Sequence, residues 1–467
     1  MKSRLFGTAG IRGPYPSKVN VDLALRLGAA VAIYGEGDVC VGFDVRVTSP
    51  LLAYGVCVGA MMAGVNAFNI GLAPTPVVAF STVRLRCGGG VSVTASHNPP
   101  TDNGFKVFDS RGMESTRVME DELERIMGEV DFRRGVVSWD KVGEIIHRFD
   151  LVNKYVEELS CRLEPRVRRF KPLIVVDCAN GAAGNVTPRV LRDLGARVVS
   201  LNCNYDGFFT GRYPEPRPDV LVDTLNMARA IGCDVVFAHD GDADRLAVLH
   251  PKVGFITQDR LIAFYAKLKL MERKGTVIVS IDVGRSVEYI VEKYGGRLVR
   301  WKLGKTHEKI LELGASSVLL AAEPWKLIDP EWGLWVDAIY QAALITKTMI
   351  EEGKDIRDLL ADIPLIPQRR LSVKVPEEHK IRLFNAVRDE MTYVFKDYER
   401  ILDFDGLRLD LSDGSWILIR PSGTEPKIRI YAEAPTNREL EEIVNKAIKL
   451  VKECSSKLGV KIEHIES

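Results

Sequence analysis

The chain has 467 residues, 46% of them hydrophobic and 27% charged, with 64 Lys plus Arg against 63 Asp plus Glu. That balance leaves no global basic field, so nucleic acid is not expected as a partner, and no run approaches the roughly 18–20 uninterrupted apolar residues of a membrane helix. Length predicts about three or four domains, each large enough to bury a core.

Short strand-like runs alternate with helical patterns along the chain. Residues 39–43 read as a strand, 49–63 as a helix and 67–70 as a strand. The order returns with a strand at 173–176, a helix at 187–194 and a strand at 197–201, then a strand at 235–238 that runs into a cluster of acids. It returns again with a strand at 277–281, a helix at 287–294 and strands at 297–301 and 318–321. Alternation of this kind predicts α/β layers with largely parallel sheets. Recurrence about three times, at a spacing near 110 residues, predicts repeated α/β domains. After about Pro367 the rhythm changes. A strand at 371–375, a helix at 378–393, strands at 407–411, 415–419 and 428–434 and a helix at 437–454 predict a smaller C-terminal α+β domain. The expected domains are 1–150, 151–252, 253–366 and 367–467, with linkers near 149–153, 251–254 and 364–369, the last a candidate hinge.

The N-terminus carries Lys2 and Arg4 but not the apolar run of a signal peptide. The eight cysteines are scattered and no two form a CxxC pair, which argues against zinc. The expectation is a reduced, cytoplasmic protein, although in a hyperthermophile a disulfide could still form inside the cell.

Three loops carry the chemistry. Thr94-Ala-Ser-His-Asn-Pro-Pro100 follows the strand-like run Gly88-Gly-Gly-Val-Ser-Val93. Pro99 and Pro100 stop any helix and stiffen the loop, so Ser96 is presented as a nucleophile would be; taken alone it reads equally as a turn that bonds its own backbone. Asp240-Gly-Asp-Ala-Asp-Arg245 follows the strand at 235–238. Three carboxylates at alternate positions raise one another's pKa or demand a cation, and hard oxygens beside a phosphate suit Mg²⁺; the alternative is an acidic surface turn. His250-Pro251 stand where an EF-hand would need its glutamate. Arg420-Pro-Ser-Gly-Thr-Glu-Pro-Lys427 follows the strand at 415–419, with Arg429 beyond. Gly423 allows a positive-φ turn, and successive amides, two hydroxyls and a guanidinium make an anion nest; the alternative is an ordinary Ser-Gly turn. A hydroxyl, a divalent-cation site and a phosphate grip together are the equipment of phosphoryl transfer.

These three loops, with Phe6-Gly-Thr-Ala-Gly-Ile-Arg-Gly13, resemble the motifs of the α-D-phosphohexomutases in order and across nearly the whole chain. The resemblance implies three similar α/β domains and a smaller phosphate-gripping one around a central cleft. It implies Ser96 as a phosphoserine whose phosphate also touches the metal, with Asp240, Asp242 and Asp244 as ligands of one Mg²⁺ per chain. It implies Arg245, Arg12 and Lys106 beside the catalytic phosphate, Lys106 as a candidate general acid/base. Arg420, Ser422, Gly423, Thr424 and Arg429 would hold the substrate's non-reacting phosphate. The implied reaction moves a phosphoryl group between the 1- and 6-positions of a hexose phosphate, glucose or mannose first, through a bisphosphorylated sugar that also serves as activator. Phosphoglucosamine mutase and phosphopentomutase are close alternatives, and a non-catalytic sugar-phosphate sensor is an alternative of another class. The oligomeric state is left open.

The pattern departs from the family where the sugar is read. The usual Gly-Glu-x-Ser/Asn-Gly-His run is matched by Ala322-Glu-Pro-Trp-Lys-Leu327. Glu323 would accept bonds from sugar hydroxyls, Trp325 would stack on the sugar or pack into an interface, and Lys326 would hold a hydroxyl or phosphate. Lys305, in Leu303-Gly-Lys-Thr-His307, takes the place of a different polar residue.

Overall fold

The computed structural model describes residues 4–7, 10–131, 137–423 and 425–466. Three of its sheets repeat one strand pattern. In the first, Val39–Phe43 lies between Ala67–Leu72 and Gly89–Val93, both parallel to it, and Asp102–Asp109 returns antiparallel to Gly89–Val93. In the second, Leu173–Asp177 lies between Arg197–Leu201 and Val235–His239, and Leu246–His250 returns antiparallel to the latter. In the third, Thr276–Ser280 lies between Arg297–Trp301 and Val318–Glu323, and Lys326–Ile328 returns antiparallel. The central strands are continuous apolar runs such as Leu173-Ile-Val-Val-Asp177, as sheets covered on both faces require. Ile11–Pro14 and Ile145–His147 extend the first sheet, and Gly254–Phe255 extends the second. The fourth sheet is antiparallel, in the order Tyr398–Leu402, Leu407–Leu411, Trp416–Pro421, Lys427–Glu433, Gln368–Lys374, His464–Glu466.

One apolar core runs from Cys40 and Ile70 of the first sheet through Ile174 and Phe237 of the second to Val277 and Val279 of the third. The C-terminal unit has a separate core, built on Leu371, Val387, Ile417, Ile430 and Ala447. It meets the third sheet through a small apolar patch of Ile281 with Trp416, Leu418 and Tyr431. Around that patch the contacts are polar: Arg408 donates to the carbonyls of Ile281 and Val283, at 2.7 and 2.8 Å, and Arg370 pairs with Asp282 at 2.8 Å.

Two sequence expectations need correction. The linker expected at 149–153 opens the helix Asp150–Arg162, because Leu151, Tyr155, Val156 and Leu159 recur at helical spacing and are buried. The boundary expected at 252 would cut Gly254–Phe255 from the sheet they pair with.

The repeated pattern places the chemistry. Ser96 lies in the hairpin turn between Gly89–Val93 and Asp102–Asp109, and the three aspartates in the turn between Val235–His239 and Leu246–His250. Pro324 and Trp325 form the equivalent turn of the third sheet, and in the fourth Trp416–Pro421 and Lys427–Glu433 are antiparallel neighbours. Three of the loops singled out in the sequence thus occupy the same place in the three repeated sheets, between the last parallel strand and the strand that returns.

Candidate active site

Ser96 is buried and has φ +52°, a left-handed conformation unusual for a residue with a side chain. Surrounding bonds hold it there. Its amide donates to Thr94 Oγ1 at 2.8 Å. The buried Arg46 donates to the carbonyls of Ser96 at 2.9 Å, Asn98 at 2.7 Å and Asp102 at 2.9 Å, and also to that of Pro99. Arg46 is anchored in turn by Asp44, 3.1 Å away, which also accepts from Ser49 and Thr94. A planar guanidinium with five donors is the side chain that can do this. Sequence reading missed Arg46; the acid-x-Arg step Asp44-Val-Arg46 just past a strand end was its signal.

The acid loop packs directly onto the serine loop. Ser96 Oγ donates to Asp240 Oδ2 at 2.6 Å. A Cβ added to Gly241 would lie 2.6 Å from the Ser96 carbonyl oxygen, so only glycine allows this approach. Thr75, also missed, donates its hydroxyl to Asp242 Oδ2 at 2.5 Å and its amide to the Asp242 carbonyl at 2.9 Å. Lys106 lies on the returning strand, where its Nζ stands 2.7 Å from Asp242 Oδ2 and 2.6 Å from Asp244 Oδ2. Lys326, from the third sheet, reaches Asp244 at 3.0 Å. The Arg245 amide donates to Asp240 Oδ1 at 3.2 Å and its guanidinium faces Glu215 at 3.4 Å. Arg12 sits on Ile11–Pro14 opposite Gly104, with a buried Nε that has no partner among the described residues.

The electrostatics divide the three acids. Burial, with the charges of Asp242 and Asp244 added, pushes the Asp240 carboxyl well up. Burial also opposes charge on Asp244, but Lys106, Lys326 and Arg245 outweigh it and hold that carboxyl well below the usual range. Asp242 is held down chiefly by Lys106 against the same burial. Asp242 Oδ1 and Asp244 Oδ1 are nevertheless buried without a partner among the described residues. One ligand oxygen from each of the three acids lies within 4.8 Å of the others. Orphaned buried carboxylate oxygens call for a cation, and an all-oxygen donor set suits Mg²⁺. The residues present therefore fit a divalent metal.

The sugar loop is built differently from the expectation. Trp325 takes φ +77° and packs on Phe255, ring centroids 5.5 Å apart, within an apolar cluster of the second sheet. It is an interface residue in this structure. Glu323 Oε1 holds the loop at 304–306, accepting from the Gly304 amide at 2.8 Å and the Thr306 hydroxyl at 3.0 Å. Lys305 turns to Glu308 at 3.2 Å and Glu120 at 3.6 Å, and no bond joins it to the acid cluster among the described residues.

In the fourth sheet Arg420 and Arg429 stand opposite each other on neighbouring strands. Two like charges in that register need an anion. Asp405 takes Arg420 at 3.0 Å and Glu425 takes Arg429, while Arg420 Nε stays buried and without a partner among the described residues. The Ser422 amide donates to the Lys427 carbonyl at 2.8 Å, and Lys380, missed in the sequence, donates to the carbonyls of Ser422 at 2.9 Å and Glu425 at 3.1 Å. Gly423 is exposed; Thr424 lies outside the described residues. Asp405 also accepts from the Leu303 amide at 2.9 Å. A continuous set of contacts thus runs from the acids through Lys326, the Glu323-held loop and Asp405 to Arg420.

Residues 3–134 match the phosphoglucomutase/phosphomannomutase α/β/α domain I, residues 153–254 its α/β/α domain II, and residues 371–450 its C-terminal domain. A phosphopentomutase of Thermococcus kodakarensis is 39% identical over 97% of this chain and 100% of its own. The chain belongs to the phosphoglucomutase/phosphomannomutase family, the α-D-phosphohexomutases. A probable phosphoglucosamine mutase of Methanopyrus kandleri is 36% identical over 97% of this chain and 98% of its own. Among solved structures, a family protein of Burkholderia thailandensis superposes with a TM-score of 0.87 at 26% identity, covering 98% of this chain and 99% of that one. As a member of this family the protein is a mutase, an intramolecular phosphotransferase. No helix among the described residues is long and apolar enough to cross a membrane.

Proposed function

We propose that this mutase moves a phosphoryl group between the anomeric and terminal carbons of an aldose phosphate, with Ser96 as the phosphoryl carrier. The observation that carries the reading is Ser96 Oγ bonded to Asp240 at 2.6 Å beside two carboxylate oxygens that lack partners. Asp240, Asp242 and Asp244, with the Ser96 oxygen, would hold one Mg²⁺, which when bound neutralises charge on the transferring group. Phospho-Ser96 gives its phosphoryl to the free hydroxyl of the sugar monophosphate, forming a bisphosphorylated sugar. Ser96 then accepts the phosphoryl from the other end after the intermediate has turned over. Arg12, with its spare buried Nε, and Arg245 steady the phosphoryl oxygens. Lys106, which reaches Asp242 and Asp244, passes the hydroxyl proton. Arg420, Ser422, Gly423, Thr424 and Arg429 grip the phosphate that stays, reading phosphate and not the carbon that bears it. A sugar bisphosphate would activate enzyme that has lost its phosphoryl group, and the cytoplasm is the expected location.

For substrate we assign hexose 1- and 6-phosphates, of glucose or mannose, in keeping with the family's name. A second reading, pentose 1- and 5-phosphates, is favoured by the relative named phosphopentomutase and by the sugar loop. There Trp325 is turned into an interface, and Lys326 and Leu327 stand where other members place a glycine-histidine pair. A non-catalytic sensor would need only the Arg420 grip, so the buried Ser96, acid and lysine set argues against it. Coupled assays on hexose, hexosamine and pentose 1-phosphates, with Mg²⁺ and bisphosphate present, test the proposal. Turnover of at least one, abolished in Ser96→Ala, is expected; inactivity on all of them overturns it, as does substantial turnover by Ser96→Ala.

A further inference from the structure

Two cysteines with no part in this chemistry stand sulfur to sulfur. Cys178 follows Leu173–Asp177, Cys203 lies just past its parallel neighbour Arg197–Leu201, and their sulfurs are 3.2 Å apart. A disulfide bond of about 2.0 Å needs them to close by roughly one ångström. Cys178 is fully buried and Cys203 half-buried, so of the two residues Cys203 is the one that solvent touches. Their electrostatics suit that order. The hydrogen bond it shares with Cys178 pulls the Cys203 thiol down, while burial pushes the Cys178 thiol up.

We propose that Cys178 and Cys203 are a modification site that closes to an intramolecular disulfide by exchange with a small-molecule disulfide such as oxidised glutathione. The Cys203 thiolate attacks one sulfur of the reagent and expels the other as a thiol. Cys178 then gives up its proton, attacks the Cys203 sulfur of the mixed disulfide and expels the second thiol. The protein loses two hydrogens and two electrons, and the reagent is reduced to two thiols.

The link would lie under the acid loop. The turn after Cys178 supports that loop, because the Ala182 amide donates to the Gly241 carbonyl at 2.9 Å and a Cβ on Gly181 would come within 2.5 Å of the same oxygen. The Asn180 amide bonds the Asn202 carbonyl at 2.6 Å, so the two strand ends are already joined beside the cysteines. Closing a loop of about 25 residues there restrains the unfolded chain and fixes the support of the acids.

The test uses the full chain, treated with oxidised glutathione, unfolded in urea, alkylated and weighed intact, with a non-reducing peptide map. Six of the eight cysteines are expected to alkylate, with one peptide pair joined through 178 and 203, and all eight after a reducing agent. The oxidised protein is expected to melt about 3–8 °C above the reduced one, a shift absent from Cys178→Ser and Cys203→Ser. Eight alkylated cysteines after exchange, a different joined pair, or glutathione retained on Cys203 of the unmodified sequence would overturn the proposal. None of these readouts depends on catalysis, so they stand apart from the mutase assignment.

Discussion

Replacing Arg46 with methionine removes the group that shapes the Ser96 turn. Its side chain is fully buried and its partner Asp44 is 1% exposed. The substitution strands four backbone carbonyls and leaves Asp44 with only hydroxyl and amide donors. Breaking one side of a buried ion pair costs about 3–5 kcal/mol, and each buried acceptor left bare adds about 1–3 kcal/mol. The carbonyls of Asn98, Pro99 and Asp102 are only partly buried and can turn to water, which leaves that of Ser96 bare, so about 4–8 kcal/mol is the expected total. A Ser96 misplaced by about an ångström loses about 100-fold in turnover. Urea unfolding, hydrogen exchange across residues 94–103 and steady-state kinetics read the three effects. Arg46→Lys keeps the charge facing Asp44 with fewer donors and should fall between. Wild-type protection of residues 94–103 together with turnover within about threefold of wild type in Arg46→Met would refute the reasoning.

Three further outcomes are expected. Gly241→Ala places a methyl 2.6 Å from the Ser96 carbonyl oxygen, so the acid and serine loops part and turnover falls about 100-fold with little change in far-ultraviolet circular dichroism. Asp405→Ala frees Arg420 and the Leu303 amide together, so KM for the sugar phosphate should rise about tenfold, and in a double-mutant cycle Asp405→Ala should add little to Arg420→Ala; full additivity would show that the two act separately. Burial lowers the His307 pKa against the opposing pull of Glu114. The unfolded chain therefore binds the extra proton first, and stability contributed by neutral His307 is present above about pH 6.5 and lost as pH falls below it. His307→Asn should flatten the fall in melting temperature below that pH, and an unchanged slope would count against it.

The strands at 197–201, 297–301 and 407–411 were legible to the residue because each mixes Val, Leu or Trp with polar residues over five positions, strictly alternating in 407–411, between turn-forming residues such as Gly195, Gly295 and Gly406. Asp102–Asp109 is absent from the strands expected from the sequence, where Asn103-Gly104 has the composition of a turn; it is a strand because Phe105, Val107 and Phe108 are all buried against neighbouring elements. Ser96, Lys106 and the aspartates were legible because each lies in a short local motif. Arg46, Thr75, Lys380 and Asp405 were not, because their partners are brought to them only by the fold: Thr75 meets Asp242 across 167 residues and Leu303 meets Asp405 across 102. Trp325 was ambiguous because its side chain is explained by Phe255, on another sheet, and not by its neighbours in sequence.

The most direct measurement of the central claim is the mass of the protein after exposure to a hexose 1,6-bisphosphate with Mg²⁺. The expected result is a gain of one phosphoryl group, mapped by peptide sequencing to Ser96, absent from Ser96→Ala and discharged when a substrate sugar monophosphate is added. A protein that gains no phosphoryl group, carries it elsewhere, or keeps it while turning over substrate would contradict the account.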